Sequence, residues 1–401
     1  MSSEWFKGTW GDLVELKYGK GLKNYKESNE EIPVFGTNGP VGFTSKALCD
    51  FPSIIIGRKG AYRGVHFSSV PFWVIDTAYF VVPKKDFNIK WAYYHLLTQD
   101  INALDSGSAI PSTSREDFYQ LPVNMPPRWI QDEIVNNLDV LNKKINLNSK
   151  SSQTLEEMAQ AIFKSWFVDF DPVKAKMNGE QPEGMDEATA SFFPEKLVES
   201  ELGLIPEGWS ASSMGEHFNI TMGQSPKGET YNEEGEGIAF FQGRRDFGFR
   251  YPDVRVYTTD PKRFAKAGDT LISVRAPVGD KNMAAIDCCI GRGVAAIKHK
   301  SDSRSFTYAF MSHIEKKLGD SGSSGTVFSS INQKELKKVS FVAPPQELIE
   351  AFHKIVDPID QKVEVLSKEI ESLSSLRDTL LPKLLSGEIE LGETEEMAEV
   401  N

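Results

Sequence analysis

The sequence contains an internal duplication, and this duplication restricts the fold of the chain more than any other feature. Trp5 and Gly19 each recur 204 positions later, whereas Pro126-Pro127 and Asp139 recur 218 positions later. The growth of the offset places 14 additional residues in the second half. Solenoid units are typically about 20–45 residues long, so a repeat of this length predicts a duplicated pair of domains in the 401 residues. Two similar surfaces suit a target with two similar parts.

Each half begins with short apolar runs bounded by glycine, proline and aspartate. Runs of this kind are typical of β-strands. They lie at 53–56, 72–75 and 78–82 in the first half, and at 238–241, 270–274 and 294–297 in the second. One helix is predicted in each half, over 91–98 and 306–317. We therefore predict an α+β fold with an internal pseudo-two-fold duplication.

After each Pro-Pro pair, the sequence repeats its core positions with alternating spacings of four and three residues. Ten consecutive positions on this period, in each half, are typical of a coiled coil. The predicted core residues are Leu138, Leu141, Ile145, Leu155, Ile162, Val356, Ile359, Val363, Leu366, Ile370, Leu373 and Leu380. At about 1.5 Å per residue, each helix would span roughly 50–55 Å. We expect the two helices to pair as a rigid spacer between the globular units.

Four residues disturb this heptad pattern. Asn148, Ser152 and Arg377 occupy core positions, where a polar side chain can fix register at a cost in stability. Pro358 should kink the second helix or mark its true start. The alternative is that both helices belong to globular cores, but core helices usually show a broader apolar stripe.

The composition along the chain suggests six segments. They are a first globular domain over 1–127, a long helix over 128–170, a linker over 171–206, a second globular domain over 207–345, a second long helix over 346–390, and an acidic tail over 391–401. The linker is rich in proline, glycine and acidic residues and shows little periodicity. The tail is expected to be disordered.

No motif in the chain nominates a catalytic or metal site. The six histidines lack ligand spacing, and the adjacent Cys288-Cys289 pair predicts buried, inert thiols. The glycine-rich segment 57–64 lacks the final Lys-Ser/Thr of a phosphate-binding loop and is interpreted as a turn. Three cysteines, no secretory signal and no apolar run of 18 residues favour a reducing cytoplasm. A binding protein without a metal of its own is favoured over an enzyme.

The remaining polar residues have the chemistry of nucleic-acid recognition. Arginine can grip guanine through two hydrogen bonds, glutamine can do so with adenine, and lysine and serine reach phosphates. The candidate DNA contacts are Arg58, Lys59, Tyr62, Arg63, Thr113 and Arg115 in the first half, and Ser225, Lys227, Gln242, Arg244, Arg245, Arg250 and Arg275 in the second. A solvated surface charge or a turn explains any single one of them equally well.

The net charge of −12 speaks against a polyanionic partner unless the charges are segregated. Residues 1–127 are neutral and residues 207–345 carry a net charge of +3. The excess acid therefore lies in the long helices, the linker and the tail. This distribution permits DNA binding by the globular halves and predicts that the isolated chain binds DNA weakly.

Several segments resemble the DNA-specificity subunit of type I restriction–modification systems. SWFVDFDPVKAKMNG at 165–179, continued at 182–209, is similar to the central conserved region of that family. LRDTLLPKLLSGEIEL at 376–391 is similar to its C-terminal conserved region. GDTLISVRAPVGDKNMA at 268–284 resembles a recurrent segment of the target-recognition domains, and 52–64 is its divergent counterpart.

The resemblance implies a function without catalysis in this chain. Each globular half would be a target-recognition domain for one half of a bipartite site in double-stranded DNA. The long helices would form an antiparallel coiled coil that sets the spacer and docks two methyltransferase subunits, and motor-nuclease subunits would join them. S-adenosylmethionine, ATP and Mg²⁺ would belong to those partners. The rival hypothesis is a non-catalytic scaffold in which the coiled coil carries two protein-interaction modules, and the overall acidity favours it.

Overall fold

A computed structural model describes residues 5–104, 111–320, 330–389 and 391. The predicted acidic tail, apart from residue 391, lies outside the described residues. The chain forms two compact units: unit 1 joins Met1–Ile145 to Ser372–Asn401, and unit 2 is Asn146–Glu371. The division falls inside both long helices rather than at the predicted boundaries, because each helix contributes side chains to both globular cores.

Unit 1 is built on an antiparallel four-stranded sheet. Its strands are β1 (Phe6–Thr9), β2 (Val14–Tyr18), β3 (Ile32–Gly36), β4 (Gly39–Thr44), β5 (Ser53–Gly57), β6 (Val65–Ser68), β7 (Trp73–Val74), β8 (Ala78–Pro83) and β9 (Pro122–Met125). Its helices are α1 (Trp10–Leu13), α2 (Ile89–Leu97), α3 (Arg115–Gln120), the first part of α4 (Arg128–Phe167) and the last part of α10 (Gln346–Ser386). The sheets have the orders β2-β8-β5-β6, β4-β3-β7 and β1-β9.

Unit 2 repeats this plan with additional strands. Its helices are the rest of α4, α5 (Asp171–Met177), α6 (Glu187–Ser191), α7 (Met214–His217), α8 (Arg304–Asp320), α9 (Gln333–Lys337) and the first part of α10 (Gln346–Ser386). Its strands are β10 (Leu197–Ser200), β11 (Gly203–Pro206), β12 (Ser210–Ser213), β13 (Phe218–Met222), β14 (Tyr231–Asn232), β15 (Ile238–Phe241), β16 (Tyr257–Thr258), β17 (Phe264–Ala265), β18 (Thr270–Ser273), β19 (Lys281–Met283), β20 (Cys288–Ile290), β21 (Val294–His299) and β22 (Ser340–Ala343). The sheets have the orders β13-β21-β18-β19, β14-β16-β15-β20-β17, β12-β22 and β10-β11.

The internal duplication and the α+β class are confirmed element by element. Strand β12 lies 204 positions after β1, while β22 and α10 begin 218 positions after β9 and α4. The two four-stranded sheets connect equivalent strands in the same order, and β3 pairs with β7 in parallel as β15 does with β20. The chain from β15 to β18 is longer than the chain from β3 to β5, so most of the additional residues lie there.

The segment 171–206 is more ordered than the predicted irregular linker. It contains α5, α6 and the antiparallel pair β10-β11. Val173 and Phe193 are buried in the core of unit 2, and Ala190 is also buried. The sequence analysis did not predict these elements, because each is only four to seven residues long and is too short to show a clear hydrophobic period.

The long helices run antiparallel within unit 2. The Phe163 and Phe352 rings lie 5.8 Å apart, and farther along the pair Arg250 bridges Glu156 on α4 and Asp360 on α10. In unit 1 the Arg377 Nη1 donates a hydrogen bond to Asn142 Oδ1 at 3.2 Å. All twelve predicted core residues are buried or half-buried.

Pro358 lies in the interior of α10 and does not mark its start. The prediction that it could begin the helix is therefore wrong. The proline is exposed, so its ring meets no packed neighbour, although it leaves the Lys354 carbonyl without its helical donor. Asn148 and Ser152 are buried, as expected of polar residues at core positions.

The aromatic residues Trp166, Phe167 and Phe170 pack the end of α4 into the core of unit 2. Trp166 and Phe167 lie 6.0 Å and 5.4 Å from the Phe352 ring on α10. Phe170 lies 5.6 Å from Trp209. This segment therefore has a structural role in joining α4, α10 and the first strand of the second globular domain.

Candidate nucleic-acid interface

A cleft of about 1100 Å³ in unit 2 brings together most of the candidate residues of the second half. It is lined by Ser225, Gln242, Arg244, Arg245 and Arg275, which the sequence nominates, and by Arg255 and Arg292, which it does not. Five arginines therefore line one opening, together with the carboxylates of Glu233 and Asp246, and they outnumber these acidic residues. Lys227 does not line this cleft; it is exposed and its Nζ lies 3.7 Å from the Glu229 carboxylate.

The strand topology explains why residues so distant in sequence meet in this cleft. Gln242 follows β15 and Arg292 follows β20, and these strands are parallel neighbours, so both residues lie at the same sheet edge. The Gly293 amide donates to the Gln242 carbonyl at 3.1 Å, and the Val274 amide donates to the Gly293 carbonyl at 3.0 Å. A side chain at Gly293 would collide with that Gln242 carbonyl, since a Cβ would lie 2.5 Å from it. Backbone hydrogen bonds thus connect the segments that contain Gln242, Val274 and Gly293.

Only some of the cleft arginines are neutralised by carboxylates. Arg244 pairs with Asp280, and Arg255 pairs with Asp246. Within the described residues, Arg245, Arg275 and Arg292 make no ion pair. Three arginines without carboxylate partners are available to an external anion or to the acceptor edge of a base.

An aromatic pair forms one wall of the same cleft. The Tyr231 and Phe240 rings lie 4.9 Å apart, and the Tyr231 hydroxyl donates to the Pro226 carbonyl at 3.0 Å. Phe240 is buried, so this wall is rigid. The cleft therefore combines fixed apolar surface with cationic donors.

Arg250 is not available to DNA, contrary to the sequence prediction. Only 2% of its surface is exposed, and its guanidinium is paired with Glu156 and Asp360. The two carboxylates come from helices that are distant in sequence. Local sequence around Arg250 resembles the exposed Arg244-Arg245 segment and carries no sign of this burial.

In unit 1 two candidate arginines lie on an aromatic side chain. The guanidinium carbons of Arg58 and Arg115 lie 4.9 Å and 4.6 Å from the centre of the Tyr18 ring. The Arg58 Nη1 also donates to the Asp76 carbonyl at 3.0 Å. Tyr18, which the sequence analysis missed, is therefore the residue that holds this pair of cations together at the surface.

The glycine-rich segment 57–64 and the nearby candidate Thr113 include two exposed and two buried side chains. Lys59 is exposed, and Tyr62 is exposed over 67% of its surface. Arg63 is only 2% exposed, and its guanidinium donates to backbone carbonyls, including that of Asn102 at 2.7 Å. Thr113 is 1% exposed. Arg63 and Thr113 are therefore buried in this structure and do not form part of the exposed surface, unlike Lys59 and Tyr62.

The buried Tyr79 stabilises the chain next to this surface. Burial raises the pKa of Tyr79 to about 12, so the phenol stays protonated at neutral pH. Its hydroxyl donates to the Thr113 carbonyl at 3.2 Å. The contact fixes the chain immediately before α3, which begins at Arg115.

The described residues contain no group of three or more His, Cys, Asp or Glu side chains placed to hold a metal ion. Cys288 and Cys289 are buried, as predicted. Burial raises the pKa of Cys288 to about 12, so its thiol is not ionised at neutral pH. None of the described helices has the length and apolar character needed to cross a membrane.

Two copies of one family pattern account for both halves of this fold. Residues 2–157 and 206–375 match the model of the type I restriction modification DNA specificity domain, each match joining one globular half to part of one long helix. The chain therefore belongs to the family of type I restriction–modification specificity proteins.

Individual relatives agree with this assignment. The chain is 33% identical to a putative type I restriction enzyme specificity subunit of Methanocaldococcus jannaschii, over 69% of this chain and 61% of that protein. The chain thus aligns with less than two thirds of that relative's length. It is 28% identical to the HindI specificity subunit of Haemophilus influenzae, over 70% of this chain and 71% of that protein. The crystal structure of an S subunit from M. genitalium has the same fold, with a TM-score of 0.59 at 21% identity over 96% of both chains.

Proposed function

We propose that this chain is the non-catalytic DNA-recognition subunit of a type I restriction–modification complex. Each globular domain reads one half of a bipartite site in double-stranded DNA. The observation that carries the proposal is the cleft of unit 2, where Arg245, Arg275 and Arg292 have no carboxylate partner among the described residues. Such a surface suits phosphates and the acceptor-rich edge of guanine.

The first domain would bind its half-site through a different surface. Arg58 and Arg115, held on Tyr18, provide two cations beside exposed Lys59 and Tyr62. Because the two surfaces differ in shape and charge, the two half-sites are expected to differ in sequence.

The long helices would set the gap between half-sites and dock two methyltransferase subunits. Leu147 on α4 and Met158 on the same helix are exposed, and so are Val365 and Leu376 on α10. These residues form two pairs separated by 218 positions. Apolar side chains exposed at equivalent positions of a duplicated helix suit two copies of one partner.

The chemistry of the complex would belong to its other subunits. The methyltransferase subunits would use S-adenosylmethionine, and motor-nuclease subunits would use ATP and Mg²⁺. An activity on chromosomal DNA places the complex in the cytoplasm.

Exchange of one recognition domain tests the proposal. In unit 2 the terminal strands β12 and β22 pair Ser210 with Ala343, so the ends of the segment 210–343 are neighbours and a clean exchange is possible. Replacing this segment by that of a relative with another specificity should change one half of the methylated site and leave the other half intact. Methylome sequencing reads both halves.

The matched control exchanges 6–125, whose ends pair in the same way through Phe6 and Met125. It should change the other half-site only. A change in both half-sites, or in neither, after either exchange would contradict the assignment of one domain to each half-site.

The alternative function is a scaffold with protein partners only, favoured by the net charge of −12. Phosphate contacts make the logarithm of DNA affinity fall linearly with the logarithm of salt concentration. A flat salt response, or no DNA binding in the presence of methyltransferase subunits, would support the scaffold.

A further inference from the structure

A buried charge cluster ties the arginine-rich segment of unit 2 to both long helices. Arg250 lies in the sequence between Arg245 and Arg255, which line the cleft. Its guanidinium forms ion pairs with Glu156 on α4 and Asp360 on α10. It also lies over the Tyr308 ring on α8, with the guanidinium carbon 3.5 Å from the ring centre.

The backbone of the same residue is fixed to the recognition domain. The Arg250 carbonyl accepts a hydrogen bond from the Met283 amide of β19 at 2.8 Å. Three residues later, the Asp253 amide donates to the Asp246 carbonyl at 2.8 Å. Arg250 therefore joins the four-stranded sheet, the cleft segment and the helix pair in one contact.

The cluster is better suited to fixing geometry than to adding stability. Removing charges from water is costly, and replacing a buried ion cluster by apolar residues is often neutral or stabilising. Within the described residues, Arg250 Nε and Asp360 Oδ2 have no hydrogen-bond partner, which adds to this cost. A planar guanidinium that meets carboxylates on two different helices nevertheless constrains the orientation of the domain on those helices.

Among the described residues of unit 1, no ion pair corresponds to the Arg250 cluster. In unit 1 Lys90 of α2 pairs with Asp139 of α4 at 2.6 Å, and in unit 2 Arg304 of α8 pairs with Asp357 of α10 at 2.7 Å. Asp139 and Asp357 are equivalent by the 218-residue offset. Arg250 lies in the longer connection between β15 and β18, so its contact is an addition specific to the second half.

We propose that Arg250 is a positioning residue that fixes the orientation of the second recognition domain on the helix pair and thereby restricts the gap tolerated between half-sites. The inference rests on the proposed function. It predicts that the cluster controls spacing, while the cleft controls which bases are read.

The test uses a variant in which the whole cluster becomes uncharged, Arg250→Met with Glu156→Gln and Asp360→Leu. The full chain is assembled with its methyltransferase subunits, and methylation is measured on DNA duplexes whose gap differs by single base pairs. The variant should methylate the same half-sites with an unfolding midpoint at or above that of the parent. Its preference for the parental gap over gaps one base pair longer or shorter should fall by about tenfold or more.

Two further variants make the result specific. Arg263→Met removes an exposed arginine that does not line the cleft, and it should leave the gap preference unchanged. Arg250→Lys retains the charge but loses the planar fork, so it should show an intermediate loss of gap preference. Should the triple variant fail to fold, Arg250→Lys carries the test.

An unchanged gap preference in the folded triple variant would overturn the inference. So would altered bases in the second half-site with the gap preference retained, because Arg250 would then act on the cleft alone. Failure of the parental complex to methylate any bipartite site would instead count against the proposed function itself.

Discussion

The arginines of unit 2 and unit 1 show that one residue type serves four structural purposes here. Arg63 satisfies buried backbone carbonyls, and Arg250 joins two helices. Arg244 is paired with an acidic side chain at the rim of the cleft, whereas Arg275 lines the cleft without an ion pair among the described residues. The sequence suggests a DNA-binding role for all four arginines. The residues that bind each of them, and so distinguish their roles, are distant along the chain.

Replacing Arg245, Arg275 or Arg292 by alanine should weaken binding of the assembled complex to its DNA site. An arginine that reads a base should cost about 1–3 kcal/mol and relax specificity at one position of one half-site. One that contacts phosphate should weaken binding to all sequences alike and reduce the salt slope by about one. Titrations at several salt concentrations, on cognate and substituted sites, separate the two cases.

Arg263→Ala is the matched control for these variants. Arg263 is exposed and lies outside the cleft lining. Its replacement should leave the DNA affinity within twofold of the parent. Equal losses for Arg263→Ala and the three cleft variants would mean that the cleft is not the binding surface.

At the scale of elements, the long helices were the most predictable part of the molecule. A hydrophobic period is a local property, so α4 and α10 can be recognised without knowledge of their partners. Pro358 shows the limit of this reasoning, because an exposed proline is tolerated inside a helix whose apolar face remains packed. The short elements of 171–206 were missed because they are held by burial in the core rather than by an intrinsic pattern.

Inserting one heptad into each helix should lengthen the preferred gap between half-sites. Phe163 contacts Phe352 in the antiparallel helix pair, so positions 149 and 367 lie at about the same height along the helix axis. Seven residues inserted after each of these positions would preserve the register in which the two helices face each other. Seven residues add about 10 Å, which corresponds to roughly three base pairs of duplex. Methylation of a DNA series with graded gaps gives the answer.

Four-residue insertions at the same two places are the control. They break the heptad register and should reduce activity at every gap rather than shift its optimum. A seven-residue insertion that leaves the preferred gap unchanged would remove the spacer role from the helices.

At the scale of the whole molecule, the two halves share the same sheet and long-helix arrangement but differ in one connection and in net charge. Both halves carry the same four-stranded sheet and begin their long helices at equivalent positions. The connection between β15 and β18 is longer than its counterpart in the first half, and it carries Arg244, Arg245, Arg250 and Arg255. The charge follows this difference, since 1–127 is neutral and 207–345 has a net charge of +3 within a chain of −12.

This charge distribution predicts weak DNA binding by the isolated chain at physiological salt and much tighter binding once methyltransferase subunits are added. The acidic helices oppose the polyanion until a partner covers them. Leu147→Glu with Val365→Glu should abolish the gain from the partner, whereas Gln153→Glu, at an exposed polar position of α4, should retain it. Fluorescence anisotropy with and without the partner measures the effect, and tight binding by the chain alone would contradict it.

The sequence by itself determined the duplication, the α+β class, the two long helices and the family. All four depend on patterns that are local or that repeat at a fixed offset, and such patterns survive without knowledge of the fold. Only the tertiary structure decided which polar residues form a surface. It placed Gln242 and Arg292 at one sheet edge through the parallel pairing of β15 and β20, and it brought Arg275 into the same cleft from the other sheet. It also buried Arg63 and Arg250. Exposure and ion pairing depend on neighbours brought together from distant parts of the chain, and no local pattern records them.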